Sequence, residues 1–371
     1  MKIAILGTRG IPNHYGGFEQ FAEYLSVGLV KRGQDVTVYN SHSHPYQEDM
    51  YEGVKIKHIY DPENKVGTIG QFIYDLLCIK DTRKNNYDII LQLGYTSSSI
   101  FFNLHPKKSL VITNMDGLEW TRSKYSKKVQ KFLEWAESLA VKKSDYLISD
   151  SIGIQNYLQY KYNKESIYIP YGSYVVDKYH EETCTKYNVE KYQYNMLIAR
   201  LEPENSIEII LDGVDKSNSK KKFLVIGNHE TKFGNYLKEN FKNNLNITFI
   251  GGIYNQSHLN DLRYFSNIYF HGHTVGGTNP SLLEAMGSEA LICANDNEFN
   301  NAILNTDAVY FKSSNEVTTI INNINKEKYT NYIHNNIEKI KNIYEWNKII
   351  NQYEYFLLNC LDTHRYQKEN I

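Results

Sequence analysis

Twice along this chain, short β-rich runs alternate with helix-spaced patterns, and a polar stretch with neither signature separates the two series. In the first series "KIAIL" (2–6) reads as a buried strand. "FEQFAEYLSVGLVKRG" (18–33) follows, with apolar residues at 18, 21, 22, 25 and 29, the spacing of one helix face. "DVTVYN" (35–40) is the next strand, and further strands are expected at 54–59, 88–93, 109–113, 145–149 and 166–169. A second series has strands near 196–200, 223–227, 247–250, 267–271, 291–294 and 308–311. Strands that alternate with helices build βαβ units and parallel sheets. The expected fold class is therefore α/β, with two Rossmann-like doubly wound domains facing a cleft. The expected boundaries are 1–172 for the N-terminal domain, 173–194 for a tyrosine-rich connection and 195–345 for the C-terminal domain. The amphipathic run "NKIINQYEYFLLNCL" (347–361) makes 346–371 a helix expected to pack back on the first domain.

Composition removes several classes. The 371 residues carry a net charge of −1, so there is no overall nucleic-acid signature. Four cysteines, at 78, 184, 293 and 360, lie far apart with no CxxC, against a zinc site or a disulfide scaffold. The opening residues read directly as a strand, no leader is evident, and no apolar run approaches bilayer length, so a cytoplasmic location is expected. Neither DxD nor HExxH occurs, and no metal is expected. His271 and His273 are expected on opposite faces if their strand persists, which is poor for a shared metal.

The loops after the strands carry the chemistry. In "HGHTVGGTNPSLLEAMG" (271–287), Asn279 suits an N-cap and Pro280 the first helical position. Gly276, Gly277, Thr278 and first-turn amides such as that of Ser281 would then face an anion, and glycine allows close approach. Glu284, one turn inside, is placed to accept hydrogen bonds from hydroxyls such as those of a ribose. An ordinary capped helix with a solvated Glu284 would fit the same letters. "GTRGIPNHYGGFEQ" (7–20) repeats the logic with Gly16 and Gly17, although its glycine spacing is not a dinucleotide fingerprint. "MLIARLEPENS" (196–206) ends a strand near Arg200, a fork suited to a diphosphate. "TNMDGLEWTR" (113–122) offers Asp116 and Glu119 as base candidates, or simply a turn and a cap. The run 122–143 reads as one amphipathic helix whose seven basic residues outnumber Glu134 and Glu137, a candidate for contact with anionic lipid or merely a solvated face.

As a set, "GTRGIPNHYGGFEQF", "DGLEWTRSKY", "ARLEPEN" and "HGHTVGGTNPSLLEAM" resemble family 4 glycosyltransferases of the GT-B fold over nearly the whole chain. They are most similar to a bacterial subgroup that includes rhamnosyltransferases of capsule and cell-wall polysaccharide assembly. The resemblance implies a nucleotide-sugar donor, a polyprenyl-diphosphate-linked saccharide acceptor and retention of anomeric configuration. Arg200 and Glu284 would serve the donor, and Asp116 would orient acceptor or sugar. Arg9 and the amides of Gly16 and Gly17 would close over the donor. Two departures stand out: a commonly acidic position is Gly276, and a commonly lysine position is Asn205. The family often has a histidine in the "NMDG" region (114–117), thought to touch the sugar's 6-hydroxyl. A 6-deoxy sugar would not need it, so L-rhamnose from dTDP-rhamnose is the best-fitting donor. A nucleotide-sugar 2-epimerase of the same architecture and a non-catalytic sugar-nucleotide-binding partner are the alternatives.

Overall fold

A computed structural model describes residues 1–122 and 124–369. The chain divides into two compact units. The first comprises Met1–Trp120, Lys127–Tyr171 and the stretch from Trp346 on; the second comprises Thr121–Ser126 and Gly172–Glu345.

The first unit is built on eight strands: β1 (Lys2–Leu6), β2 (Asp35–Ser41), β3 (Met50–Tyr51), β4 (Val54–Ile59), β5 (Ile89–Leu93), β6 (Leu110–Asn114), β7 (Tyr146–Ser149) and β8 (Ile167–Tyr168). Their order is β3-β4-β2-β1-β5-β6-β7-β8, parallel throughout except for the β3–β4 hairpin. That hairpin, absent from the sequence reading, turns on Glu52 and Gly53, both at positive φ. Ile3, Ala4 and Ile5 are fully buried, because a parallel sheet is covered on both faces. The helix Gly17–Lys31 buries Phe21, Ala22, Leu25 and Leu29. Gly28 on that helix makes room for the C-terminal helix Trp346–Glu369: a Cβ there would lie 2.3 Å from Ile350 Cδ1. Ile349, Ile350, Tyr353 and Leu357 of the same helix are buried, and Asn114 at the end of β6 donates to the Tyr353 hydroxyl at 3.1 Å.

The second unit holds β9 (Tyr194–Ile198), β10 (Lys222–Ile226), β11 (Ile247–Gly251), β12 (Ile268–His271), β13 (Ile292–Asn295) and β14 (Val309–Phe311). All are parallel, in the order β11-β10-β9-β12-β13-β14. The stretch 173–194 belongs to this unit. It carries a short helix, Glu182–Lys186, and stacks Tyr179 on Tyr264 at 3.7 Å. Asp261 pins it by accepting from the His180 amide at 3.0 Å and the Thr183 hydroxyl at 2.7 Å. Tyr179 and the fully buried Tyr194 are therefore packing residues.

One expected helix is shorter than its sequence pattern. Among the described residues of the basic run 122–143 the helix covers Lys127–Lys143, preceded by a 3-10 turn at Glu119–Thr121. Arg122 and Lys124 are drawn instead to acids of the second unit, Glu204 and Glu202. Tertiary ion pairs thus override a pattern that periodicity alone would extend.

Candidate functional site

Each sheet has one point where the chain stops adding strands on one side and starts on the other. In the second unit it lies between β9 and β12, and a doubly wound sheet binds ligands outside the carboxyl ends of such a strand pair. The two loops that leave these ends are the Arg200 loop and the 272–279 loop. They are fastened to each other. Thr274 donates to the Glu204 carbonyl through its amide at 3.1 Å and its hydroxyl at 2.7 Å. Gly272 approaches so closely that a Cβ would sit 2.1 Å from the Asn205 carbonyl oxygen. Asn205 is buried and donates its side-chain amide to the Arg200 carbonyl at 2.7 Å, so it shapes the Arg200 loop from beneath. Arg200 lies two residues beyond β9 and is exposed, with no ion pair within 4.0 Å among the described residues.

The cap of the helix Pro280–Gly287 decides which amides can meet an anion. Asn279 Oδ1 accepts from the Ser281 amide at 2.9 Å, and Pro280 has no N–H. The Leu282 and Leu283 amides donate to the Asn279 carbonyl at 3.0 and 3.2 Å. The first turn is therefore self-satisfied, and the Ser281 amide expected to serve an anion is already used. The donors lie one step earlier. Among the described residues, the amides of Val275, Gly276, Gly277 and Asn279 have no protein acceptor. Gly276, at φ +125, turns this run, and the space where its Cβ would be is open. Thr278 between them is buried. Successive unpaired amides of this kind form an anion-binding concavity.

Glu284 is not a solvated acid. Its Oε2 accepts from Arg263 at 2.6 Å, and Arg263, on the helix Gln256–Phe265, is 1% exposed. Arg263 also donates to Ser281 Oγ at 3.2 Å and Asn260 Oδ1 at 3.3 Å, and Ser281 Oγ meets the Tyr269 hydroxyl at 2.9 Å. The sequence reading missed Arg263. Its signal was a charge four residues after Leu259, on the apolar side of its helix.

The two histidines also fall differently from expectation. Residues two apart in an extended chain share a face, and the His271 and His273 rings stack at 4.4 Å and 18°. Burial, then His273, holds His271 well below the usual histidine range. Burial, then Arg200 and Arg122, pushes His273 down to about 3. Both rings are neutral near pH 7, so they cannot supply cations to an anion. Among the described residues, no group of three or more His, Cys, Asp or Glu side chains is arranged to hold a metal ion.

In the first unit the corresponding point lies between β1 and β5. Gly7 is at φ +87, and a Cβ there would be 2.1 Å from the Leu93 carbonyl oxygen, so the 7–16 loop springs directly from this pair. Gly16 caps the helix Gly17–Lys31 without a side-chain bond, and the amides of Gly16 and Gly17 have no protein acceptor among the described residues. Glu19, buried in the first turn, accepts from Thr8 Oγ at 3.1 Å and the Arg9 amide at 2.8 Å. The Arg9 side chain pairs with Glu63 at 2.8 Å and stacks on Tyr15 at 3.9 Å. Asp116 follows β6, half-buried, and accepts from the Tyr171 hydroxyl at 3.2 Å.

Comparison with known proteins fits this architecture. A family model described as a domain of unknown function, DUF1972, matches residues 1–174. A search of curated proteins gives no match. Among solved structures, sucrose-phosphate synthase from Thermosynechococcus elongatus matches 98% of this chain and 99% of its own, at 14% identity and a TM-score of 0.79. HepE from Anabaena, solved in complex with UDP-glucose, matches 97% and 100% at 13% identity and a TM-score of 0.75. A glycosyltransferase from Rickettsia africae matches 97% and 99% at 14% identity and 0.72. The fold is the GT-B fold. The GT-B match runs through both units and the C-terminal helix, well beyond the span of the DUF1972 model.

Proposed function

We propose that the protein is a glycosyltransferase that takes a sugar from a nucleoside diphosphate donor held by the second unit. The observation that carries this is the set of amides of Val275, Gly276, Gly277 and Asn279, without a protein acceptor among the described residues, on the loop fastened to the Arg200 loop where strand order reverses. Neutral amides and one guanidinium grip the diphosphate without a divalent ion, and the same groups stabilise its charge as it leaves. Arg263 orients the Glu284 carboxylate toward the ribose hydroxyls. Asp116, held by Tyr171, orients the acceptor or the sugar. The configuration is retained, with the leaving phosphate taking the acceptor's proton. The donor is dTDP-L-rhamnose, for which the "NMDG" loop needs no partner to a 6-hydroxyl. HepE, which shares the fold, was solved with UDP-glucose bound.

The test is a thermal-shift series on the full chain with dTDP, UDP and GDP, followed by transfer from dTDP-rhamnose to extracted polyprenyl-linked saccharides. Stabilisation led by dTDP, and transfer unchanged by EDTA, are expected. No response to any nucleoside diphosphate would overturn the donor reading. EDTA-sensitive transfer restored by manganese would overturn the metal-free site, and conversion of the donor without acceptor would reassign the protein as an epimerase.

The acceptor reading is a lipid-linked saccharide at the inner face of the membrane. Its support is in the first unit. On the helix Lys127–Lys143, Lys128, Lys131, Trp135 and Lys142 are exposed on one stripe, with Trp135 at 50% exposure. Phe132 links this helix to Phe72 at 5.8 Å, beside exposed Ile69 and Ile73. A tryptophan among lysines next to open aliphatic side chains suits an anionic bilayer. Each lysine near such a surface contributes about 1 kcal/mol, so Lys128→Ala/Lys131→Ala should weaken co-sedimentation with phosphatidylglycerol vesicles about 30-fold. Equal binding to neutral and anionic vesicles, or none, would remove this support.

A further inference from the structure

The loop that carries the amides of Val275, Gly276, Gly277 and Asn279 rises from a column of rings. Tyr269, His271 and His273 lie two apart along β12 and its extension, so they share one face of the second sheet. The His271 ring is 6.4 Å from that of Tyr269 at 27° and 4.4 Å from that of His273 at 18°. Phe270, of the opposite parity, points the other way, into the core with Phe223 and Phe311. At the base of the column the Tyr269 hydroxyl meets Ser281 Oγ at 2.9 Å. The histidines above it have no such partner. Both nitrogens of His271, which is 1% exposed, and the buried Nδ1 of His273 lack a hydrogen bond to the protein. His273 Nε2 makes none among the described residues.

Buried polar atoms without partners are rare in folded proteins, and a residue that only packed there would be apolar. The place of the His273 ring does not depend on its nitrogens. Asn297 and Asn300 donate to the His273 carbonyl at 2.9 and 3.1 Å. Gly272 before it lies against the Asn205 carbonyl, and Thr274 after it is tied to the Glu204 carbonyl. The ring is thus held at the head of the amide run with its polar atoms unspent. Burial, then Arg200 and Arg122, keep it uncharged near neutral pH, so it offers one N–H and one lone pair. Phosphate oxygens only accept, and the amides and Arg200 supply donors for them. A sugar hydroxyl both donates and accepts, which is the pattern a neutral imidazole matches. In a nucleotide sugar the first such hydroxyl of the transferred ring sits on the carbon next to the one that carries the diphosphate.

We propose that His273 reads the transferred sugar: its imidazole hydrogen-bonds a hydroxyl of the donor's sugar once the diphosphate is seated on the amides of Val275, Gly276, Gly277 and Asn279. This rests on the donor reading above. It assigns to one side chain the part of the donor that the amides and Arg200 leave unread.

The test is titration of the full chain with dTDP-rhamnose and UDP-glucose, each beside its own nucleoside diphosphate, read by calorimetry and by NMR of the histidine ring nitrogens. The nucleotide sugar, and not the nucleoside diphosphate alone, should shift the His273 signals. His273→Ala should weaken the better-bound nucleotide sugar about 10-fold and leave its nucleoside diphosphate unchanged. His273→Gln, whose amide also donates and accepts, should recover part of the loss. Equal loss for nucleotide sugar and nucleoside diphosphate in His273→Ala, or no loss for either, would overturn the proposal and make the ring a packing residue. So would His273 signals that move as far with the nucleoside diphosphate alone, since the contact would then lie on the phosphates or the ribose. A wild-type chain that binds no nucleoside diphosphate would instead bring down the donor reading, and this proposal with it.

Discussion

Replacing Glu284 with alanine is expected to destabilise the second unit by about 3–5 kcal/mol, the usual cost of stripping the partner from a buried ion pair. Arg263 is 1% exposed and cannot turn to water. Its remaining partners, Ser281 Oγ at 3.2 Å and Asn260 Oδ1 at 3.3 Å, are neutral and long, and its Nε has none. For a unit of this size that loss corresponds to a fall in Tm of roughly 10 °C or more. A drop in turnover after Glu284→Ala therefore does not by itself assign Glu284 to the ribose. Two further variants separate the roles. Arg263→Met/Glu284→Leu removes both charges together and should regain most of the stability, since a hydrophobic replacement of a buried pair is often neutral. If the acid also serves the donor, the double variant stays inactive with a near-normal melting curve. Should Glu284→Ala melt with the wild type, the buried cation has another counter-charge and this account of the helix floor is wrong.

This pair marks where the sequence stops speaking. Buried parallel strands announce themselves as unbroken apolar runs, so thirteen strands of the two sheets are legible in the sequence to within a few residues. The two-residue strand β3 has no run to show. Arg263 and Glu284 lie 21 residues apart on different helices, and no local pattern couples them. The same holds for Arg122 and Glu204, a pair that lies ahead of a helix starting at Lys127, five residues later than its periodicity begins. Other misses were avoidable. Strand parity alone puts His271 and His273 on one face. An asparagine N-cap consumes a first-turn amide by definition, and here it is the Ser281 amide that is taken. Asn205 stands in the sequence where the resembled family commonly has a lysine, and no local pattern shows that its side chain is buried on the Arg200 carbonyl.

Arg200→Ala is expected to do the opposite of Glu284→Ala: little to the fold and much to the reaction. The side chain is exposed and makes no ion pair among the described residues, so the stability should stay within about 0.5 kcal/mol of wild type. Turnover should fall about 100- to 1,000-fold, the usual effect of removing one pre-positioned group from developing charge. On the proposed donor site the loss should lie in kcat more than in KM, because the amides of Val275, Gly276, Gly277 and Asn279 would still hold the ground-state diphosphate while the charge that grows on departure loses its guanidinium. Arg200→Lys should recover only part, since a point charge cannot fork across two phosphate oxygens. An independent readout is His273. Burial is the first cause of its low proton affinity and Arg200 the second, so its pKa should rise from about 3 in the alanine variant yet remain below the ordinary histidine value. Normal turnover with an unshifted His273 would place the guanidinium away from the reacting phosphates, and the donor site would then have to be sought elsewhere on the second sheet.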